Sequence, residues 1–159
     1  ASKKNYIKGD EKGNFNPDKA ITRAELITML MRTIDGQEKE YDGSFSDVKK
    51  GDWYSDSVAK ALELGIISED EKFRPNDRVT REEMCKMVVN VAEIINGEIV
   101  LEEIASFKDA SHISGWATLY VQKAVSFNLM NGVGDGLFAP KETSTRAQAA
   151  TLLCRITEK

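Results

Sequence analysis

One twelve-residue segment occurs three times in this chain at nearly even spacing. Its copies read FNPDKAITRAEL, FRPNDRVTREEM and FAPKETSTRAQA. Their threonines, Thr22, Thr80 and Thr145, lie 58 and 65 residues apart. The spacers recur as well, since FSDVKKGDWYSDSVAKALELGI matches FKDASHISGWATLYVQKAVSFNL. A fixed period of this kind predicts repeated supersecondary units that bury their apolar faces against one another.

Each full unit is predicted to contain two helices joined by a loop. The first helix begins near Trp53 or Trp116 and carries apolar residues at helical spacing. It ends at Gly65 or Asn128, the residue types that best tolerate the left-handed conformation after a helix. A turn and Phe-x-Pro follow, and the second helix starts at the motif threonine. The residues expected on its buried face are Leu26, Met29, Leu30, Met84, Met87, Val88, Val91, Ala149, Leu152 and Leu153.

The predicted fold class is therefore all-α, with three tandem helix-loop-helix repeats in one compact unit. The repeats are assigned to residues 1–35, 45–95 and 107–159. Backward alignment of the copies places Ala1 and Asn5 in the last turn of a first helix. The first repeat is then expected to be truncated at its N-terminus, with apolar surface that self-association or a swapped helix could cover.

Composition excludes several classes of function. With 26 acidic and 22 basic residues the net charge is −4, so the chain lacks the basic field that nucleic-acid binding requires. No apolar run approaches the roughly 20 residues of a membrane span, so membrane insertion is not expected. Cys85 and Cys154 have no metal-ligand neighbours at short spacing and are interpreted as buried core. The acidic loops lack the ligand spacing of an EF-hand. No cofactor, metal site or catalytic residue is predicted, and an enzyme is not expected.

The motif itself has a structural interpretation. Thr or Ser followed three residues later by Glu or Gln forms a capping box, in which side chain and backbone satisfy each other at the start of a helix. Direct contact of these side chains with a ligand is the alternative. The pairs are Thr22 with Glu25, Thr80 with Glu83, and Thr145 with Gln148.

The motif arginines, Arg23, Arg81 and Arg146, need another explanation, because a cation is disfavoured in the first turn of a helix. They could form salt bridges to a nearby carboxylate such as Asp47 or Asp109, or each could form an anion site with its helix N-terminus. Both alternatives stay open at the level of sequence.

The two tryptophans, Trp53 and Trp116, are expected to pack beneath the preceding loop, although a partly exposed ring could stack on a sugar. The candidate ligand-binding residues are Arg23, Arg81, Arg146, Trp53, Trp116, Asp47 and Asp109.

The combined pattern resembles the S-layer homology module, which usually occurs as three tandem copies. The resemblance rests on Phe-x-Asp, then Trp, a helix ending in Gly-Ile, Phe-x-Pro and Thr-Arg-Ala-Glu, and it covers nearly the whole chain. It implies a pseudo-threefold bundle that anchors extracellular bacterial proteins noncovalently to secondary cell-wall polysaccharide, often pyruvylated. It also implies ligand grooves between neighbouring repeats, with Arg23, Arg81 and Arg146 lining them. The third motif departs from the pattern, because Gln148 stands where the others have Glu.

The functional hypothesis is therefore noncatalytic binding of wall polysaccharide at the bacterial cell wall or S-layer. The alternatives are a structural or protein-interaction module without glycan binding, and a fragment of an enzyme acting on wall glycans.

Overall fold

The computed structural model describes residues 16–36 and 39–158 of the chain. Within these ranges extended pairing is limited to isolated bridges, and the predicted all-α class is confirmed. Two short 3-10 helices, Ala110–His112 and Gly115–Ala117, precede the fourth α-helix. The α-helices in chain order are α1 (Arg23–Met31), α2 (Ser55–Glu63), α3 (Arg81–Asn96), α4 (Thr118–Ser126) and α5 (Arg146–Glu158).

Helices α1, α3 and α5 begin immediately after the three motif threonines. In α3, the Thr80 hydroxyl accepts a hydrogen bond from the Glu83 amide, and Glu83 Oε1 accepts one from the Thr80 amide at 3.0 Å. Thr22 with Glu25 and Thr145 with Gln148 make the same reciprocal pair. All three capping boxes therefore form, and the apolar positions expected on these helices are buried.

Helices α2 and α4 end as the sequence predicts. Gly65 has φ 76° and Asn128 has φ 57°, so both adopt the left-handed conformation. After α2, the Ile66 amide donates a hydrogen bond to the Ala61 carbonyl at 2.9 Å. After α4, the Leu129 amide donates to the Ala124 carbonyl at 2.8 Å. This is the hydrogen-bond pattern of a Schellman C-cap, with a fully buried apolar residue following each cap.

A closed ring of backbone hydrogen bonds joins the three motif segments. The ring residues are Ile21, Val79 and Ser144, each directly preceding a motif threonine. The amide of Ile21 donates to Ser144, that of Ser144 to Val79, and that of Val79 back to Ile21, each at 3.0 Å. Equivalent positions of the repeats therefore bind one another in cyclic order.

The core lies between the helices, with α3 packed against α1, α4 and α5, and α2 packed against α1. Cys85 is fully buried as expected, but Cys154 is partly exposed, so the prediction of a buried core position is wrong for Cys154. None of the described helices is long and apolar enough to span a bilayer. The proposed remnant of a first helix at Ala1 to Asn5 lies outside the described residues.

Candidate functional site

The three Phe-x-Pro loops share a strained backbone conformation, and aspartates hold two of them in place. The middle residue has positive φ in all three loops: 54° at Asn16, 62° at Arg74 and 58° at Ala139. L-residues reach this region at a cost, so other contacts must fix it. Asp109 accepts hydrogen bonds from the amides of Phe138 and Ala139 at 2.9 and 2.8 Å.

Asp47 makes the same pair of bonds to the amides of Phe73 and Arg74, both at 2.8 Å. These bonds engage both oxygens of each carboxylate, and neither aspartate forms an ion pair with a motif arginine in the described ranges. Asp47 and Asp109, the carboxylates suggested as possible salt-bridge partners of the motif arginines, are therefore not those partners, because each accepts hydrogen bonds from the backbone of its own repeat's loop.

Two of the motif arginines, Arg23 and Arg81, reach the Phe-x-Pro loop of the following repeat. Arg23 Nε donates to the Phe73 carbonyl at 2.8 Å, and its guanidinium carbon lies 5.0 Å from the centre of the Phe73 ring. Arg81 Nε donates to the Phe138 carbonyl at 2.9 Å, and the guanidinium carbon of Arg81 lies 4.8 Å from the centre of the Phe138 ring. The arginines thus brace neighbouring repeats against one another.

Arg23 and Arg146 form ion pairs with the capping-box glutamate of another repeat, a partner that sequence reasoning missed. Arg23 Nη1 lies 2.7 Å from Glu83 Oε2, and Arg146 Nη1 pairs with Glu25 Oε2. One carboxylate oxygen caps its own helix while the other binds the arginine. The only sequence signal was the Glu of the motif itself, which the capping box already explained.

Burial and neighbouring charges shift the pKa values of this cluster. Burial lowers the pKa of Arg23 and of Arg81, although a guanidinium stays charged at neutral pH. Burial raises the pKa of Glu83, but the Thr80 amide and the charges of Arg23 and Arg74 outweigh it, so the net pKa lies below its ordinary value. Glu83 is therefore ionised at neutral pH.

Two equivalent grooves lie beside these arginines. The Arg23 groove has a volume of about 310 Å³, and the Arg81 groove about 170 Å³. The residues that correspond in the two are Arg23, Ile66, Ile67, Ser68, Glu83 and Lys86 in the first, and Arg81, Leu129, Met130, Asn131, Gln148 and Thr151 in the second. By the repeat alignment, the counterparts of Leu129 and Met130 beside Arg146 fall within residues 1–15, outside the described range.

The tryptophans are exposed, so the expectation that they pack beneath a loop is wrong. Trp53 is 66% exposed and Trp116 is 51% exposed. The inward position is taken by the next residue, Tyr54 in one repeat and Ala117 in the other, both of which are buried. Trp116 lines the Arg23 groove, with the Lys86 ammonium 5.8 Å from the centre of its ring.

Glu82 is a further residue that the sequence did not single out. It occupies the motif position held by Ala in the other copies, and it is 3% exposed. Its carboxylate accepts hydrogen bonds from the Ser114 amide and hydroxyl at 2.9 and 2.6 Å, and from Lys141 at 2.7 Å. Glu82 thereby fixes the segment that leads into Trp116 and positions this ring at the groove.

Comparison with known proteins decides the family. The model of the S-layer homology domain matches residues 1–27, 44–85 and 106–150. The chain belongs to the S-layer homology domain family. The predicted resemblance is confirmed, and the family indicates a cell-surface or cell-wall protein with a general role in cell-wall anchoring.

Members of the S-layer homology domain family similar to this chain are parts of larger proteins. The chain is 38% identical over 98% of its length to the exoglucanase XynX of Acetivibrio thermocellus, of which it covers 14%. It is 36% identical over 96% of its length to the surface-layer 125 kDa protein of Lysinibacillus sphaericus, covering 13% of it. It is 30% identical over 96% of its length to the S-layer protein sap of Bacillus anthracis, covering 18%. The chain thus spans less than a fifth of the length of these relatives.

Proposed function

We propose that this S-layer homology region is a noncatalytic module that binds secondary cell-wall polysaccharide in its inter-repeat grooves. The observation that carries the proposal is the repetition of the groove. In two copies a largely buried motif arginine lies beside a cleft between repeats, and corresponding residues line both clefts. A recurring cleft with a fixed guanidinium suits a repeating polymer that bears acidic groups.

The Arg23 groove also offers a surface for a sugar ring. Trp116 presents half of its surface to solvent at the rim, held there through Glu82 and Ser114. An aromatic face packs well against the C–H surface of a pyranose, while the basic Lys86 beside it can donate to hydroxyls or acidic substituents. Pyruvate ketals, each supplying one carboxylate, are the acidic substituent we propose.

The test is cosedimentation of the 159-residue chain with purified wall sacculi, before and after chemical removal of the polysaccharide. Retention on the intact sacculi and loss on the stripped sacculi are expected. Equal retention on both preparations would contradict polysaccharide binding.

A structural role without glycan binding is the second candidate, because every motif arginine contributes bonds that join one repeat to the next. Replacing Arg23, Arg81 and Arg146 one at a time with Ala separates the two roles. Lost stability with intact sacculus binding supports bracing alone, whereas a loss of binding beyond what the fraction of unfolded protein explains supports a ligand role.

A further inference from the structure

The sequence contains two Asn-Gly pairs, Asn96-Gly97 and Asn131-Gly132. In such a pair the glycine nitrogen can attack the side-chain amide carbon of the asparagine, because glycine has no Cβ to hinder the approach. Both asparagines and both glycines are exposed, so access to water does not distinguish the two pairs. Their hydrogen bonds do.

Hydrogen bonds hold the Asn96-Gly97 pair at the end of α3. Asn96 Nδ2 donates to the Ile156 carbonyl at 3.3 Å, and the Gly97 amide donates to the Glu93 carbonyl at 2.9 Å. Attack by the Gly97 nitrogen requires both bonds to break. This pair can therefore react only when the end of the helix opens locally.

The Asn131-Gly132 pair is not held in this way. In the part of the chain that the structure describes, neither the Asn131 side chain nor the Gly132 amide makes a hydrogen bond. Glycine is required at position 132, since a Cβ there would lie 2.7 Å from the Leu137 carbonyl oxygen. The fold therefore requires an unhindered nucleophile directly after Asn131.

Arg81 binds the reacting peptide bond itself. Its Nη2 donates to the Asn131 carbonyl at 2.5 Å, and this carbonyl belongs to the peptide bond that contains the Gly132 nitrogen. When that nitrogen loses its proton, the negative charge is shared with the carbonyl oxygen. A guanidinium on this oxygen stabilises the anion as the donors of an oxyanion hole do. Arg81 is 7% exposed, so water screens this interaction little.

We propose that Asn131 is a site of spontaneous deamidation that Arg81 promotes, while the fold protects Asn96. Hydroxide removes the Gly132 amide proton, and the nitrogen forms a bond to Cγ of Asn131. The bond from Cγ to Nδ2 breaks, and the leaving nitrogen takes a proton from water and departs as ammonia. Water then opens the succinimide ring at either carbonyl. The products are aspartate and isoaspartate.

Both products change the chain at the residue that Arg81 binds. Each adds a carboxylate and lowers the net charge by one from its value of −4. Isoaspartate also adds one backbone atom before Gly132, which packs closely against the Leu137 carbonyl. The equivalent pair in the preceding repeat is Ser68-Glu69, which cannot undergo this reaction. The inference does not depend on the proposed function.

The test is incubation of the full chain at mildly alkaline pH, in native buffer and in unfolding urea. Peptide mass spectrometry follows aspartate and isoaspartate at both sites. In urea the two pairs should react at similar rates, because each reacting dipeptide is the same. In native buffer we expect Asn131 to react roughly tenfold faster than in urea and Asn96 roughly tenfold slower. A synthetic peptide of residues 126–137 measures the effect of urea on the chemistry itself.

Two variants assign the roles of the residues. Asn131→Gln should abolish the modification at this site and leave Asn96 unchanged. Arg81→Gln should slow the native reaction at Asn131 roughly tenfold, the effect of one lost charge-assisted hydrogen bond. Protection of Asn96 in the same sample reports that α3 is still folded. If Arg81→Gln loses this protection, the comparison of native buffer with urea in the parent chain decides.

A native rate at Asn131 equal to or below its rate in urea, after correction by the peptide, would overturn the inference. So would equal native rates at Asn131 and Asn96, or a folded Arg81→Gln variant that reacts as fast as the parent chain. None of these results bears on sacculus binding, which tests the proposed function separately.

Discussion

Arg23 Nη1 of the first motif lies 2.7 Å from Glu83 Oε2 of the second, with both side chains nearly buried. The same carboxylate caps α3 and accepts a hydrogen bond from Arg74. One side chain therefore links the start of a helix, the motif arginine of the preceding repeat and a Phe-x-Pro loop.

The first prediction separates the two roles of Glu83. Glu83→Gln should keep the capping bond, as Gln148 does, but lose the bonds to Arg23 and Arg74, lowering the free energy of unfolding by about 1–3 kcal/mol. Glu83→Ala should lose about 1 kcal/mol more, because the cap is lost too. Urea unfolding measures both. Equal losses in the two variants would show that the cap contributes nothing.

The second prediction concerns the dependence of stability on pH. Because the pKa values of Glu83 and Glu82 are lower in the folded protein than the ordinary 4.5, the unfolded chain takes up protons first as the pH falls. Their stabilisation should be fully present above pH 4.5 and decrease as the pH falls through the folded pKa values. The urea midpoint between pH 7 and 3 measures this loss. Glu83→Gln should show a shallower decrease, and an identical profile would contradict the assignment to Glu83.

The third prediction tests the aspartate that holds the third loop. Asp109→Asn places an amide donor against one of two backbone amides, so unfolding free energy should fall by about 1–3 kcal/mol. Glu103→Gln removes the same charge from an exposed side chain and should change stability little. If both variants lose the same stability, the change in net charge, and not the loss of the Asp109 hydrogen bonds to the loop, accounts for the decrease.

The fourth prediction uses the two exposed tryptophans as a matched pair. Trp116→Ala should weaken sacculus binding and lower the free energy of unfolding by at most about 2–3 kcal/mol, because only about half of the side chain is removed from water. Trp53→Ala removes a more exposed ring that does not line either described groove. An equal effect of both variants on sacculus binding would argue against a specific contact at Trp116.

The fifth prediction concerns the thiols. Burial raises the pKa of Cys85 to about 12, so the reactive thiolate is scarce in the folded protein at pH 8. Iodoacetamide should label partly exposed Cys154 in the native protein and label Cys85 only after unfolding. Peptide mass mapping over time distinguishes the two sites, and equal labelling rates would show that α3 opens readily.

The helices and their ends could be predicted from sequence because their causes are local. The Thr80 to Glu83 spacing specifies a capping box, and Gly65 and Asn128 specify left-handed caps, whatever surrounds them. The first-helix starts were placed near Trp53 and Trp116, and α2 and α4 begin two residues after each. The repeat boundaries at 1–35, 45–95 and 107–159 stay predictions.

The partners of the arginines could not be predicted, because they depend on which repeat lies beside which. Arg23 has Asp47 closer in sequence, yet it pairs with Glu83, sixty residues away. The exposure of the tryptophans was likewise undetermined, since either Trp53 or Tyr54 could have faced inward at the start of α2.

The hydrogen bonds among Ile21, Val79 and Ser144 bear on the number of repeats this architecture can hold. A linear array can gain or lose a terminal unit, since every unit contacts only its neighbours. Here the first segment binds the last, so no segment of the ring is terminal. Deleting one repeat would leave each of the two remaining ring residues with one unpaired backbone group, and inserting a fourth would force the ring open. Evolution can therefore vary the sequence of each copy, as at Gln148, much more easily than it can vary their count.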